Sequence, residues 1–228
     1  MTAAHALPPT GPYAGDDGSP DGTLAAVLAA HEVGAADLRA VQHALLAARL
    51  LVPVIATEDD LGTSMATVTI TGRDGRRAMP VFTSVTALAA WDVAARPVPT
   101  AAVEAAAGAL AEGAAALLVD LCGPVHVVLE GPAMLALAQG RRWLAPAEDP
   151  EVLTAVRYAL SGMDGLCGLD VGRCDDADLA LTLHVVDAGP AQVRALAQDA
   201  AARLAEVELL RDRLERGLDL AVVPGRSW

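Results

Sequence analysis

From Met65 to Phe82 the chain reads MATVTITGRDGRRAMPVF, two alternating β-type runs on either side of Gly72-Arg73-Asp74-Gly75. An Asp-Gly pair supplies the positive φ that a tight reversal needs, so the segment predicts a hairpin of Met65–Thr71 with Arg76–Phe82. A lone hairpin is not stable in water and must lay one face on something else. The flanking runs have helical rather than alternating period, which makes the expected fold α+β: a mixed sheet with a hairpin meander and flanking helices.

The helices have start and stop signals. Thr23 is placed to cap one carrying Leu24, Val27 and Leu28, ended by Gly34, and Asp37 one carrying Leu38, Val41 and Leu45. Ser84 precedes a helix over Val85–Trp91, and Thr100 one over Ala101–Glu112. Leu50–Ala56 reads as a buried strand that Pro53 pushes toward an edge or a bulge. Ala116–Leu121 and Val125–Leu129 read as two strands joined through Cys122-Gly123-Pro124, and a helix over Pro132–Gln139 closes the unit.

Composition shifts at Arg141–Pro150, and a smaller α-β-β-α-β domain is expected beyond it. Its elements are a helix capped by Asp149, strands Leu166–Val171 and Asp178–Val186, one long helix from Ala191 to Arg216, and a strand Leu218–Val223. The predicted organisation is a disordered tail over 1–22, rich in Pro, Gly and Asp, then domains over 23–146 and 147–228. Hydrophobic residues are 54% of the 228 and aromatics 3%, so the cores must be packed from Ala, Val and Leu, with Phe82 the single Phe.

Composition excludes several chemistries. All 16 basic residues are Arg, so a phosphate-loop lysine, a Schiff-base lysine and a Ser-Lys dyad are ruled out. A net charge of -13 repels a nucleic-acid backbone, and so few aromatics make no stacking platform. No charge-free apolar stretch reaches membrane-spanning length, and Met1–Gly34 lacks the basic start of a signal peptide, so the expected compartment is the cytoplasm. G-x-S-x-G, H-E-x-x-H and a strand-borne G-x-G-x-x-G are absent. Cys122-x-x-x-His126 has no second ligand pair, and the acidic runs Glu58-Asp59-Asp60 and Asp175-Asp176-x-Asp178 lack the glycine and distant Glu of a calcium loop. No metal or cofactor is expected.

Three places remain as candidate sites. Arg73, Arg76 and Arg77 around Asp74 offer guanidiniums able to clamp a carboxylate or phosphate, against the plainer reading of a solvated turn. Ser84 begins a helix whose free amides, with the hairpin arginines near in sequence, suggest an anion site, against an ordinary cap. Arg141-Arg142-Trp143 is either packing between domains or an exposed anchor for a protein partner.

Several strings carry a family resemblance: AARLLVPV (Ala47–Val54), MATVTITGRDGRRAMPVFTS (Met65–Ser84), Trp91-Asp92, Arg96-Pro97, Gly123-Pro124 and ALAQGRRWL (Ala136–Leu144). Together they resemble the N-terminal domain of the SseB family, in its actinobacterial, Ala- and Arg-rich type, over roughly Thr23–Pro146. The second half, with GLDLAVVP (Gly217–Pro224), more weakly resembles that family's C-terminal domain. The likeness implies an α+β fold and a bacterial cytosolic setting, and it brings no catalytic residues. The expected function is non-catalytic binding of another protein, with self-association as a further possibility. The alternative is a small-anion binder or enzyme using the hairpin arginines and Ser84.

Overall fold

Helices begin where a side-chain oxygen can take a free amide. Asp37 accepts from the Ala40 amide at 2.9 Å and Ser84 from that of Ala87 at 3.1 Å. At the first helix the acceptor is Asp21, 2.8 Å from the Leu24 amide, instead of the predicted Thr23. A carboxylate both caps and favours the positive end of the helix dipole, which a threonine cannot.

The computed structural model describes residues 12–59, 62–174, 176–186 and 189–224. It is an α+β fold in two units, Met1–Trp143 and Leu144–Trp228. The first unit runs α1 (Gly22–Glu32), α2 (Leu38–Leu45), β1 (Arg49–Asp59), β2 (Gly62–Thr67), β3 (Ile70–Thr71), β4 (Arg77–Val81), α3 (Val85–Trp91), β5 (Arg96–Ala101), α4 (Ala102–Ala111), β6 (Ala116–Val119), β7 (Val127–Glu130) and α5 (Gly131–Ala138). Its strands form two sheets, ordered β2-β1-β5 and β3-β4-β6-β7.

Four expectations are corrected here. The predicted hairpin is divided between the two sheets. Thr67 pairs with Val54 of β1, whereas only Ile70 and Thr71 pair with Ala78 and Arg77 of β4. The turn itself forms, with Gly75 at φ +82°. The strand carrying Pro53 is central, flanked by β2 and β5. Leu51 donates its amide to Phe82 at 2.7 Å, away from β5, and Pro53 has the same parity. The missing N–H of Pro53 therefore falls between the β4 bridge and the start of the β2 ladder at Val54, where no bond is lost. Thr100 lies in β5 instead of capping α4, which starts after Ala101 without a side-chain cap. Finally, part of the predicted tail packs: the Asp16 carboxylate is held by Arg49, and the Gly18 carbonyl accepts from the Val85 amide at 2.9 Å. Residues 1–11 and 225–228 lie outside the described residues.

The main core lies between the β3-β4-β6-β7 sheet and its helices. Val81, Leu117, Val119 and Leu129 point inward from the sheet, against Ala102, Ala105, Ala106 and Ala109 of α4 and Ala133, Met134 and Leu137 of α5. Alanines on the helix faces let the backbone approach the sheet closely, which is how so few aromatics suffice. Phe82 anchors a second cluster with Leu51 and Leu88, its ring 5.5 Å from that of Trp91.

The second unit contains α6 (Pro150–Ala159), β8 (Leu166–Gly172), β9 (Leu179–Val185), α7 (Pro190–Ala205), α8 (Glu208–Arg213) and β10 (Leu218–Pro224). Its sheet order is β10-β9-β8, with β9 parallel to β10 and antiparallel to β8. The single long helix predicted from Ala191 is broken in two. Leu204 and Leu210 are both buried, yet on one straight helix residues six apart point about 120° away from each other. Breaking the helix at Glu206-Val207 lets both reach the same core, and Arg211 donates twice to the Ala205 carbonyl, at 3.0 and 2.7 Å, to close the end of α7. Asp178, one of the acidic loop residues, receives the Glu215 and Arg216 amides at 2.7 Å each and so fixes the approach to β10.

Candidate functional site

Alternation along β4, β6 and β7 sends Met79, Leu117 and Leu129 into the core and leaves their neighbours on the other face. Strand register aligns those neighbours in rows. Ile70, Ala78, Ala116 and Glu130 form one row, and Leu118 and Val128 stand in the next. The result is an open groove of about 510 Å³ on the outer face of the sheet, apolar along its floor and rimmed by Arg73, Asp74, Arg76 and Arg77. Val128 is 42% exposed there.

The hairpin arginines do not form a vacant clamp. Arg76 donates from Nε to Asp74 and from Nη1 to Glu130, each at 2.7 Å. These two bonds raise the Arg76 pKa above its ordinary value, and the Arg76 bonds hold the Asp74 carboxyl below its own. The bridge to Glu130 crosses β6 in the row where that strand presents only Ala116, so small side chains give the arginine room. Arg77 donates to the Glu112 carbonyl at 2.7 Å and, more loosely, to Thr69 Oγ1 at 3.5 Å. Arg73 lines the rim.

Ser84 lies at the opposite end of β4. The five residues of β4 alone separate it from the arginines by roughly 13 Å. It is buried, and α3 behind it is only seven residues long. The structure does not bring Ser84 and the hairpin into one pocket.

At the Ser84 end the structure assembles a polar lock that local sequence does not reveal. Asp120 sits just past β6 at φ +51°, and its carboxylate accepts from the Thr83 amide at 2.8 Å and from Thr83 Oγ1 at 2.7 Å. Burial pushes the Asp120 carboxyl up, with the two Thr83 bonds pulling the other way. Arg49 holds Asp16 and donates to the Thr83 and Ser19 carbonyls at 2.8 and 2.9 Å. Every oxygen and nitrogen named in this lock has a partner within the protein.

The third candidate is built by a buried glutamine. Gln42 is fully buried, donates to the Arg141 carbonyl at 2.8 Å and accepts from the Trp143 amide at 3.0 Å. Trp143 packs half-buried on the core of the first unit, and the Arg39 guanidinium lies 5.7 Å from its ring centre. Arg141 bonds Gln139 at 2.6 Å, while Arg142 is exposed. Burial, then the positive charge of Arg142, lowers the pKa of His43 beside this segment. Gln42 and Arg39 belong to α2, about a hundred residues away, and no signal near Trp143 identifies them.

Among the described residues no group of three or more His, Cys, Asp or Glu is placed to hold a metal ion, and no helix is long and apolar enough to cross a membrane. In a comparison with protein families, residues 24–136 match the SseB protein N-terminal domain. The match extends from α1 into α5 and includes the whole groove, while Arg141, Arg142 and Trp143 lie beyond it. Neither the curated proteins nor the solved structures compared with the chain gave a match.

Proposed function

Residues 24–136 belong to the SseB protein N-terminal domain family, and from that premise we propose that the chain is a non-catalytic protein-binding module of the bacterial cytoplasm. The second unit is read as a C-terminal SseB-like domain of actinobacterial type. The observation that carries the binding reading is the outer face of the β3-β4-β6-β7 sheet. Ile70, Leu118 and Val128 stand there around two alanines, in an open groove with a charged rim. A contiguous apolar patch with polar edges is the usual form of a protein-docking surface. The alternative, an anion site shared by the hairpin arginines and Ser84, draws less support, since Ser84 is buried and a strand length away from the arginines.

Affinity capture from lysate with mass spectrometry tests the reading. Wild type is compared with Val128→Glu, which places a charge in the groove at an exposed position. Loss of the captured partners in Val128→Glu is expected, and an unchanged set overturns the reading.

A further inference from the structure

The groove has an unusual charge for this chain, and the inference drawn from it rests on the protein-binding reading above. Two guanidiniums, Arg73 and Arg76, meet two carboxylates, Asp74 and Glu130, at its rim, so the groove is locally balanced in a protein of net charge -13, while the Arg77 guanidinium is held by the Glu112 carbonyl. Among the described residues Arg73 has no carboxylate partner. The Arg76–Glu130 pair straps the groove across its alanine row, and both side chains are well exposed, at 62% and 40%. Exposed ion pairs are weak and exchangeable.

We propose that the groove is occupied by an extended, acidic and apolar segment of a partner protein. Its apolar side chains lie on Leu118 and Val128, and its carboxylates meet Arg73 and replace Glu130 on Arg76. Arg76 keeps Asp74 throughout, so the exchange trades one carboxylate for another and opens the groove over Ala78 and Ala116. An extended partner suits the floor: successive outward rows of a sheet lie roughly 6.7 Å apart, the spacing of alternate side chains on a strand. The rim supplies the charge complement that an acidic segment needs, in a position where the rest of the protein repels it.

A random twelve-residue peptide library displayed on phage, selected on the full chain, tests this. The selected peptides are then titrated by fluorescence anisotropy. Enrichment of sequences combining Asp or Glu with Leu, Ile or Val is expected. Their binding should fall at least tenfold in Arg73→Ala/Arg76→Ala and in the peptides' Gln and Asn counterparts. In Glu130→Gln, which frees Arg76 without touching the floor, it should tighten roughly two- to fivefold. That opposite sign is one a merely structural arginine does not produce. Neutral or basic sequences, no enrichment, or affinity indifferent to the arginines each overturn the proposal. So does a dimer in sedimentation equilibrium that Val128→Glu dissociates, since it assigns the face to a second copy. If lysate capture still depends on Val128 while the peptides lack acidic residues, the inference fails and the protein-binding reading survives.

Discussion

The two ends of the parallel pair β4 and β6 use the same chemistry for opposite purposes. At the carboxyl end Arg49 holds Asp16 with side chains only 13% and 12% exposed. At the hairpin end Arg76 holds Asp74 with both more than half exposed, at 62% and 53%. Partners withdrawn this far from solvent are not readily exchanged for water or for a ligand, so that end is a fastener. Exposed partners are screened and replaceable, which is what the proposed docking face requires of that end. Residue type alone does not separate the two arginines; burial does.

The comparison breaks if Arg49 proves dispensable. Arg49→Ala strands a part-buried Asp16 and removes the donor to two carbonyls, and it is expected to cost about 2–4 kcal/mol in urea unfolding. Thr83→Val deletes the hydroxyl donor to Asp120 while keeping the shape, at about 1–3 kcal/mol in the same measurement. Asp120→Asn sharpens the account through pH. Because burial raises the Asp120 carboxyl above its unfolded value, the folded protein holds that proton more tightly than the unfolded chain. The stability it contributes is present below the ordinary carboxylate range and lost as pH rises through the raised value. Asparagine accepts from the Thr83 amide and donates to its hydroxyl without titrating. The urea midpoint of Asp120→Asn relative to wild type should therefore rise between acid and neutral pH, and a flat difference contradicts the assignment. Arg76→Ala and Val128→Glu, at the open end, are expected to leave the midpoint of thermal unfolding nearly unchanged.

What was legible in the sequence follows the same division between local and distant. The caps at Asp37, Ser84 and Asp149 are local events, settled within three residues, and they are found where the residues place them. The hairpin turn is local too, but the fate of its first arm depends on β1, which claims Thr67 before β4 can. β5 is hidden because RPVPTA contains two prolines, which an edge strand tolerates and a pattern search discards. The break after α7 follows from which leucines the core needs, a fact of packing with no glycine or proline to announce it. The groove is the least local feature. Its arginines were visible as a charged turn, but its floor requires knowing that β4 and β6 are parallel and which residues share a row. The Arg76–Glu130 strap joins residues 54 apart, and Thr83 and Asp120 are 37 apart.

The most direct test of the central claim is carbene footprinting of the full chain, free and bound to the partner that lysate capture identifies. Protection concentrated at Ile70, Leu118 and Val128, with Cys122 and Tyr158 unchanged, is the result this account predicts. Protection confined to Arg142 and Trp143, with the sheet face labelled as in the free protein, would contradict it.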